Sequence, residues 1–289
     1  MAARLRGLGA DVEIVPIRTE GDRLLEARLA ALGGKGLFVK EIEDALCDGA
    51  IDAAVHSLKD LPAGVPAGLA LAAFPERGDP RDVLVTRTGA RFEDLAPGAV
   101  IGTSSPRRRA IVLSLRPDLV VEPMRGNVDT RLRKLEGGAW DGVVLAAAGL
   151  QRLGLAPAHA RPLDPEVFVP FDDKSLVVIA GLCAVEVRAA DRATRSLVER
   201  LDHPPTRACA LAERAYLGRL GASCNTPMAA HASLRGDRLG MTALVASEDG
   251  RTVLRGGDSG APADAELVGL RLAESLLERG AAGVTAVRV

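Results

Sequence analysis

Short apolar runs alternate with amphipathic stretches through the first 200 residues, the pattern of α/β layers around a largely parallel sheet. Residues 12–17 read as a strand. Val39, Ile42 and Leu46 fall at helical spacing, which predicts a helix over 37–47 stopped by Gly49. Residues 51–56 and 69–74 follow as strands. A second set repeats the alternation: strand 99–102, helix from Pro106, strand 119–124, helix from Val128, strand 142–147. Two consecutive sets predict two lobes joined near 75–81. The pattern changes from Pro204 onward. A helix through 208–220 leads to a loop over 221–227. Two or three alternating strands follow, with Glu248-Asp249-Gly250 as a hairpin turn. An amphipathic helix over 263–279 completes a small α+β domain.

Composition narrows this picture in two ways. Aromatic residues make up 2% of the chain against 47% hydrophobic, so the core has to be built from Leu, Val, Ile and Ala. The net charge of −1 gives no global pull toward nucleic acid or anionic lipid. Anion binding must therefore come from local clusters of Arg and Lys. No apolar run approaches the roughly 20 residues that span a bilayer, and the first residues lack the apolar stretch of a signal peptide. The cysteines Cys47, Cys183, Cys209 and Cys224 are scattered, with no CxxC pair or metal spacing. That usage predicts reduced thiols and a cytoplasmic protein. Cys47 and Cys209 read as inert buried filler on their helices.

Several segments ask for an anionic partner. In Gly102-Thr103-Ser104-Ser105-Pro106-Arg107-Arg108-Arg109 a strand ends at the glycine, Ser104 or Ser105 can cap a helix, and Pro106 suits its first turn. A helix start with free N–H groups beside guanidiniums suits carboxylate or phosphate, although a solvated basic helix start has about even odds on its own. Met124 to Arg131 repeats the arrangement with Arg125 and Arg131, and Arg152 adds a further cation. Gly33-Gly34-Lys35-Gly36 opens a helix but lacks the spacing of a nucleotide P-loop. Several such sites at the carboxyl ends of strands predict a polyanion in the crevice of an open α/β sheet. His56-Ser57-Leu58-Lys59-Asp60 sets a carboxylate beside a lysine at a strand end. That is usually a surface pair, but in a basic crevice it is a candidate acid/base group. Cys224 lies in a Gly/Ser/Asn loop, where a thiol is accessible and nucleophilic rather than packed away.

Seven segments in order carry a resemblance: GGKGLFVKEIE, DAAVHSLKDLP, ERGDPRDVLV, IGTSSPRRR, RGNVDTRL, LAAAGLQRLGL and LAERAYLGRLGASCNTP. Together they are similar to the porphobilinogen deaminase (hydroxymethylbilane synthase) family. The resemblance implies two periplasmic-binding-protein-like lobes plus a C-terminal α+β domain. Its segments divide the chain into a first lobe of 1–77 with 184–202, a second lobe of 80–170, an interlobe segment of 171–183 and a third domain of 204–289. It implies a transferase that joins four porphobilinogen molecules into linear hydroxymethylbilane, with ammonia released each time. The cofactor it implies is dipyrromethane, attached covalently through Cys224. Lys59, Ser105, Arg107, Arg108 and Arg131 match positions that hold that cofactor, and Arg125, Arg152 and Phe38 match positions around the substrate. Asp60 matches the catalytic carboxylate, which would hydrogen-bond pyrrole N–H groups and stabilise the cation left as ammonia departs. The implied partner is the small-molecule substrate alone, on a monomer that binds neither nucleic acid nor membrane.

The chain departs from the family pattern in two places. Met1 to Leu5 resembles the tail of the family's first helix, with no counterpart to the strand before it. In place of a Gly-Gln-Gly turn stands the longer, apolar segment 171–183. Together these set an expectation of impaired activity. Two alternatives follow from other features: a cofactor-less family member, and a two-lobed small-anion binding module without catalysis.

Overall fold

Strands with no polar face can only form where both sides of a sheet are covered, and the middle of this chain is built that way. The computed structural model describes residues 1–19, 39–62, 64–155, 160–162, 181–221 and 226–285. Phe38, Lys35 and Cys224, with most of the 171–183 segment, lie outside the described residues.

A short helix, α1 (Ala2–Gly7), is followed after the first undescribed stretch by α2 (Lys40–Cys47), β1 (Ala53–Ser57), a single 3-10 turn (Leu58–Asp60) and β2 (Leu69–Ala73). The next unit holds β3 (Asp82–Thr86), β4 (Val100–Gly102), α3 (Pro106–Leu115), β5 (Val120–Glu122), α4 (Val128–Glu136), β6 (Gly142–Ala146), α5 (Ala147–Arg152) and β7 (Ala160–Pro162). The chain then returns with β8 (Cys183–Arg188) and α6 (Arg192–Glu199). It ends with α7 (Pro204–Arg219), β9 (Met228–Arg235), β10 (Arg238–Ala246), β11 (Val253–Gly260), α8 (Ala265–Glu278) and α9 (Ala281–Thr285).

These elements form three sheets. The first runs β1-β8-β2, with β8 between two strands that are close in sequence. One face packs Val185 and Val187 on Val198 of α6, with Met1 and Leu5 against the same cluster. Ala184 joins Leu58, Phe74 and Ala210 of α7 on the other side. The second sheet runs β5-β4-β6-β3-β7. Leu84 and Val144 face Ile111 and Val112 of α3, while Val83, Val85, Val143 and Leu145 face Leu135 of α4 and Leu150 of α5. The third runs β11-β10-β9, covered on one face by α7 and α8. Its opposite face sends Ala229, Leu244 and Ala246 into the core of the second unit.

The structure corrects three expectations. The sheets are not largely parallel. Among the described residues the first is wholly antiparallel, and in the second only the β4–β5 and β4–β6 pairs are parallel. Periodicity reports that a strand is buried, not which strand it will meet or in which direction. Residues 12–17 form no strand; Ile14 and Val15 are 68% and 50% exposed, no ladder bond reaches them, and Pro16 has no N–H to give. Cys47 is exposed at the last turn of α2 rather than buried. Cys209 is buried, and burial pushes its thiol up to about 11, with Glu213 adding to the effect.

The closest helix contact lies in the third domain. Gly269 of α8 sits so near α7 that an added Cβ would collide with the backbone at Ala212 and Tyr216. Overpacking against backbone cannot relax by a rotamer change, so Gly269→Ala should cost about 1–3 kcal/mol or more. A thermal melt of the variant beside the parent checks this; an unchanged midpoint would mean that the two helices are free to separate.

Candidate functional site

Two lobes present their strand ends to a common cleft. On the first, β1 leads straight into the 3-10 turn carrying Lys59 and Asp60, and Leu58 N–H donates to Leu182 C=O at 3.1 Å, tying that turn to the approach to β8. On the second, β4 ends at Gly102, and Ser105 caps α3 by accepting from the Arg108 N–H at 3.4 Å, with Pro106 in the first turn. Ser104 Oγ donates to Met124 C=O at 2.9 Å, so of the two serines it is Ser105 that caps the helix. Gly102 is required by close approach, since a Cβ there would strike the Met124 side chain.

The first turn of α3 throws Arg107 and Arg108 onto one carboxylate, that of Asp82 at the start of β3. Arg107 Nη1 donates to Asp82 Oδ2 at 3.0 Å and Arg108 Nη2 to Oδ1 at 2.7 Å. Arg108 Nη1 also donates to Val144 C=O at 2.8 Å, while its buried Nε has no partner among the described residues. Burial works to raise the Asp82 carboxyl, but the two guanidiniums outweigh it and hold the group down at about 2. Burial lowers the Arg107 guanidinium, against the pull of Asp82.

The other cations gather around this trio. Arg131 of α4 donates from Nε to Gly126 C=O at 2.7 Å; burial lowers its guanidinium, and Arg108 pushes the same way. Lys59 is lowered first by burial, then opposed by Asp60 and Asp82 and assisted by Arg108 and Arg107, which places it in electrostatic reach of the second lobe. Asp60 is raised by burial against the lowering effect of Lys59 and His56. Both side chains keep solvent-accessible tips although protein crowds them. Screening by that solvent makes these shifts a matter of proton occupancy rather than of fold stability.

Lys59, Asp60, Arg107, Arg108 and Arg131 thus share one electrostatic neighbourhood. Arg125 is half-buried at the start of the same turn, and its carbonyl accepts from Lys134 Nζ at 3.0 Å. Arg152 is exposed and donates to Gly181 C=O at 3.2 Å, so it sits on the lobe crossover. Phe38 and Cys224 lie outside the described residues. Sequence reading missed Asp82 as the partner of the arginines; its signal was an acid opening an otherwise apolar strand in ERGDPRDVLV. It also passed over Glu186, which His56 Nε2 meets at 3.1 Å with both side chains buried. Among the described residues no helix is long and apolar enough to cross a membrane, and no cluster of three or more His, Cys, Asp or Glu side chains is placed to hold a metal.

Comparison with known proteins bears on this cleft directly. Residues 1–196 match the family model described as porphobilinogen deaminase, dipyromethane cofactor binding domain, and residues 207–278 match that for the porphobilinogen deaminase C-terminal domain. The chain is similar to proteins named porphobilinogen deaminase from three bacteria. It is 49% identical to that of Syntrophotalea carbinolica, over 94% of this chain and 85% of the relative. For Syntrophobacter fumaroxidans the identity is 45%, over 94% and 86%. For Brevibacillus brevis it is 42%, over 98% and 90%. Among solved structures the chain is similar to an ancestral cationic amino acid solute binding protein, at 17% identity over 69% of this chain and 75% of that one, with a TM-score of 0.40.

The Asp82 cluster makes a prediction of its own. A carboxylate depressed from 3.8 to about 2 contributes stability that is present above its unfolded value and is lost as pH falls from about 4 to about 2. Asp82→Asn leaves two buried guanidiniums uncompensated and should cost about 3 kcal/mol at neutral pH. Urea unfolding across pH should show the gap between parent and variant narrowing below about pH 4. A gap that stays constant to pH 2 would show that Asp82 is not the anion these arginines hold.

Proposed function

Because the chain belongs to the porphobilinogen deaminase family, we propose that it joins four porphobilinogen molecules head to tail into hydroxymethylbilane, with ammonia released at each addition. The observation that carries this reading is the placing of one open carboxylate, Asp60, against cations drawn from the opposite lobe. Each substrate pyrrole carries an acetate and a propionate, so the growing chain gains two negative charges per unit. Arg107, Arg108, Arg131 and Lys59 suit that load, since planar guanidiniums pair with carboxylates through two parallel bonds. The unpartnered Nε of Arg108 is capacity held ready for an anion, and on this ground the cleft fits dipyrromethane.

In this reading that group, held by a thioether from Cys224, supplies the primer to which the substrate pyrroles are joined. Arg107, Arg108, Arg131 and Lys59 hold its side chains, Ser105 stands at the same helix start, and Arg125, Arg152 and Phe38 serve the incoming substrate. Asp60 accepts from pyrrole N–H and stabilises the positive charge that develops on the substrate as ammonia leaves. Its carboxyl, raised by burial, must be ionised to do so, and Lys59 and His56 favour that form. The chain works as a cytoplasmic monomer on a small molecule, without nucleic acid or membrane. Matches to both family domains over most of the chain favour neither an impaired chain nor the cofactor-less and binding-module alternatives.

Intact mass tests the attachment. The purified parent should carry an adduct equal to two linked pyrroles, and Cys224→Ser should have the bare mass; a bare mass in both would remove the assignment. Asp60→Asn keeps shape and hydrogen bonding while removing charge, and should lower kcat by about 100-fold or more with its adduct retained. A kcat within threefold of the parent would take Asp60 out of the chemistry.

A further inference from the structure

Below the Lys59-Asp60 turn lies a buried charge cluster that the reaction as described does not use. In the β1–β8 register Ala54 faces Glu186 and His56 faces Ala184, so His56 and Glu186 share one face of the sheet as a diagonal pair. Their side chains are 3% and 1% exposed and meet at 3.1 Å. Two other elements send charges to the pair. Glu43 of α2 interacts with both His56 and Glu186 and is raised by burial and then by Glu186. Arg214 of α7 is lowered by burial, with Glu186 acting against that. His56 in turn acts on Asp60, four positions along the chain.

A buried carboxylate and imidazole are costly to bring out of water, and a fold stabilised by this face could place apolar side chains there instead. The pair sits at the base of the turn that carries the catalytic carboxylate, and β8 grips that turn twice, through Glu186 on His56 and through Leu182 C=O on Leu58 N–H. We propose that Glu186 is a positioning residue for the reaction, acting through His56 to keep Asp60 in its anionic form.

The charges around the pair make the direction definite. An imidazolium at His56 faces three carboxylates, Glu186, Glu43 and Asp60, with Arg214 as the cation beside Glu186. Across the cleft, Lys59 is the next cation to Asp60, and behind Lys59 stand Arg107, Arg108 and Asp82. When Glu186 loses its charge, His56 loses the anion it is bonded to and gives up its proton more readily. Asp60 then keeps Lys59 as its nearest cation but loses the one beneath it. The carboxyl therefore holds its proton to higher pH, and the fraction of enzyme with a working anion falls on the acid side. Arg214 links this cluster to the helix that leads toward Cys224, so the same carboxylate touches both the acid/base turn and the cofactor-bearing domain.

This inference rests on the reading of Asp60 above, and the test separates the two. Holoenzyme of Glu186→Gln, His56→Gln and the double variant is prepared, with loading verified by mass, and kcat is measured from pH 5.5 to 9. The acid limb should move up by about one pH unit in each single variant, roughly a tenfold loss on the acid slope, with recovery at high pH. The double variant should move no further than either single, because both act through one path. Glu186→Asp, which restores the charge, should return most of the shift. A fall in kcat equal at every pH, or a lowered melting temperature with the acid limb unmoved, would make the pair structural and overturn the proposal. Failure of both single variants to give soluble holoenzyme would do the same. If the parent itself carried no adduct and made no product, the underlying assignment would fall first.

Discussion

Like charges do not gather in a cleft unless something holds them there, and in this chain that is Asp82. Arg107, Arg108, Arg131 and Lys59 all sit within one another's fields; burial depresses Lys59, Arg107 and Arg131, and Arg108 adds to the effect in each case except Arg107, where Asp82 acts second. Two of the four are tied to the Asp82 carboxylate. The pair geometry follows from local structure. Pro106 and the Ser105 cap fix where α3 begins, and its first turn then aims successive arginines at the first residue of β3. Removing the carboxylate would leave two buried cations facing each other, which costs more than the pair itself contributes. The cleft is basic because it contains an acid.

Much of the architecture could be read from the chain, and what could not has a common cause. Helix starts at Pro106 and Val128 and strands at 69, 100 and 142 were legible because caps, prolines and apolar runs are local signals. The hairpin at 248–250 was legible for the same reason: Gly250 takes φ +72 there, and Ser247 closes the loop onto Thr252. Strand direction was not legible. Inserting β8 between β1 and β2 depends on contacts spanning well over a hundred residues, and no window of periodicity contains them. Residues 12–17 have the alternation of a strand but no described edge to pair with, and alternation without a partner is only a pattern. At the site, cations were legible by type and position. Their anchors, Asp82 and Glu186, were not, because each acts on residues far from it in sequence.

The junction between lobes is held by the third domain as well as by the cleft. Arg77, in the segment leading from β2 to β3, donates to Glu213 Oε1 at 2.7 Å and to Ala232 C=O at 3.2 Å, and Glu213 accepts the Ala232 N–H at 2.8 Å. Glu213 is fully buried; burial raises its carboxyl while Arg77 and the Ala232 N–H lower it. His231 beside them is driven down to about 3 by burial and by Arg77, so it stays neutral and does not compete for the glutamate. The outgoing and returning crossovers touch at Gly78 and Gly181, where Gly78 N–H donates to Gly181 C=O at 3.0 Å. Gly181 takes φ +77 and has no room for a Cβ against Gly78, so both backbone freedom and close approach require glycine. Arg152 caps the same carbonyl from the second lobe. Any change in lobe angle has to pass through this short contact, with the third domain fastened to one of its two strands.

The way the arginines are committed explains how such a cleft can take up added negative charge without coming apart. A lysine spends its one charge centre wherever it points. A guanidinium spreads five donors over a plane, so it can keep an internal anchor and still meet a second anion. Arg108 gives Nη2 to Asp82 and Nη1 to Val144 C=O, and retains a buried Nε–H without a partner among the described residues. A buried donor left in that condition is costly, by roughly 1–3 kcal/mol, and a ligand that satisfies it recovers that cost on binding. Asp82 therefore need not be displaced for carboxylates to bind. It keeps Arg107 and Arg108 oriented, and the remaining donor supplies part of the affinity, so the fold carries in advance the strain that an anionic ligand relieves.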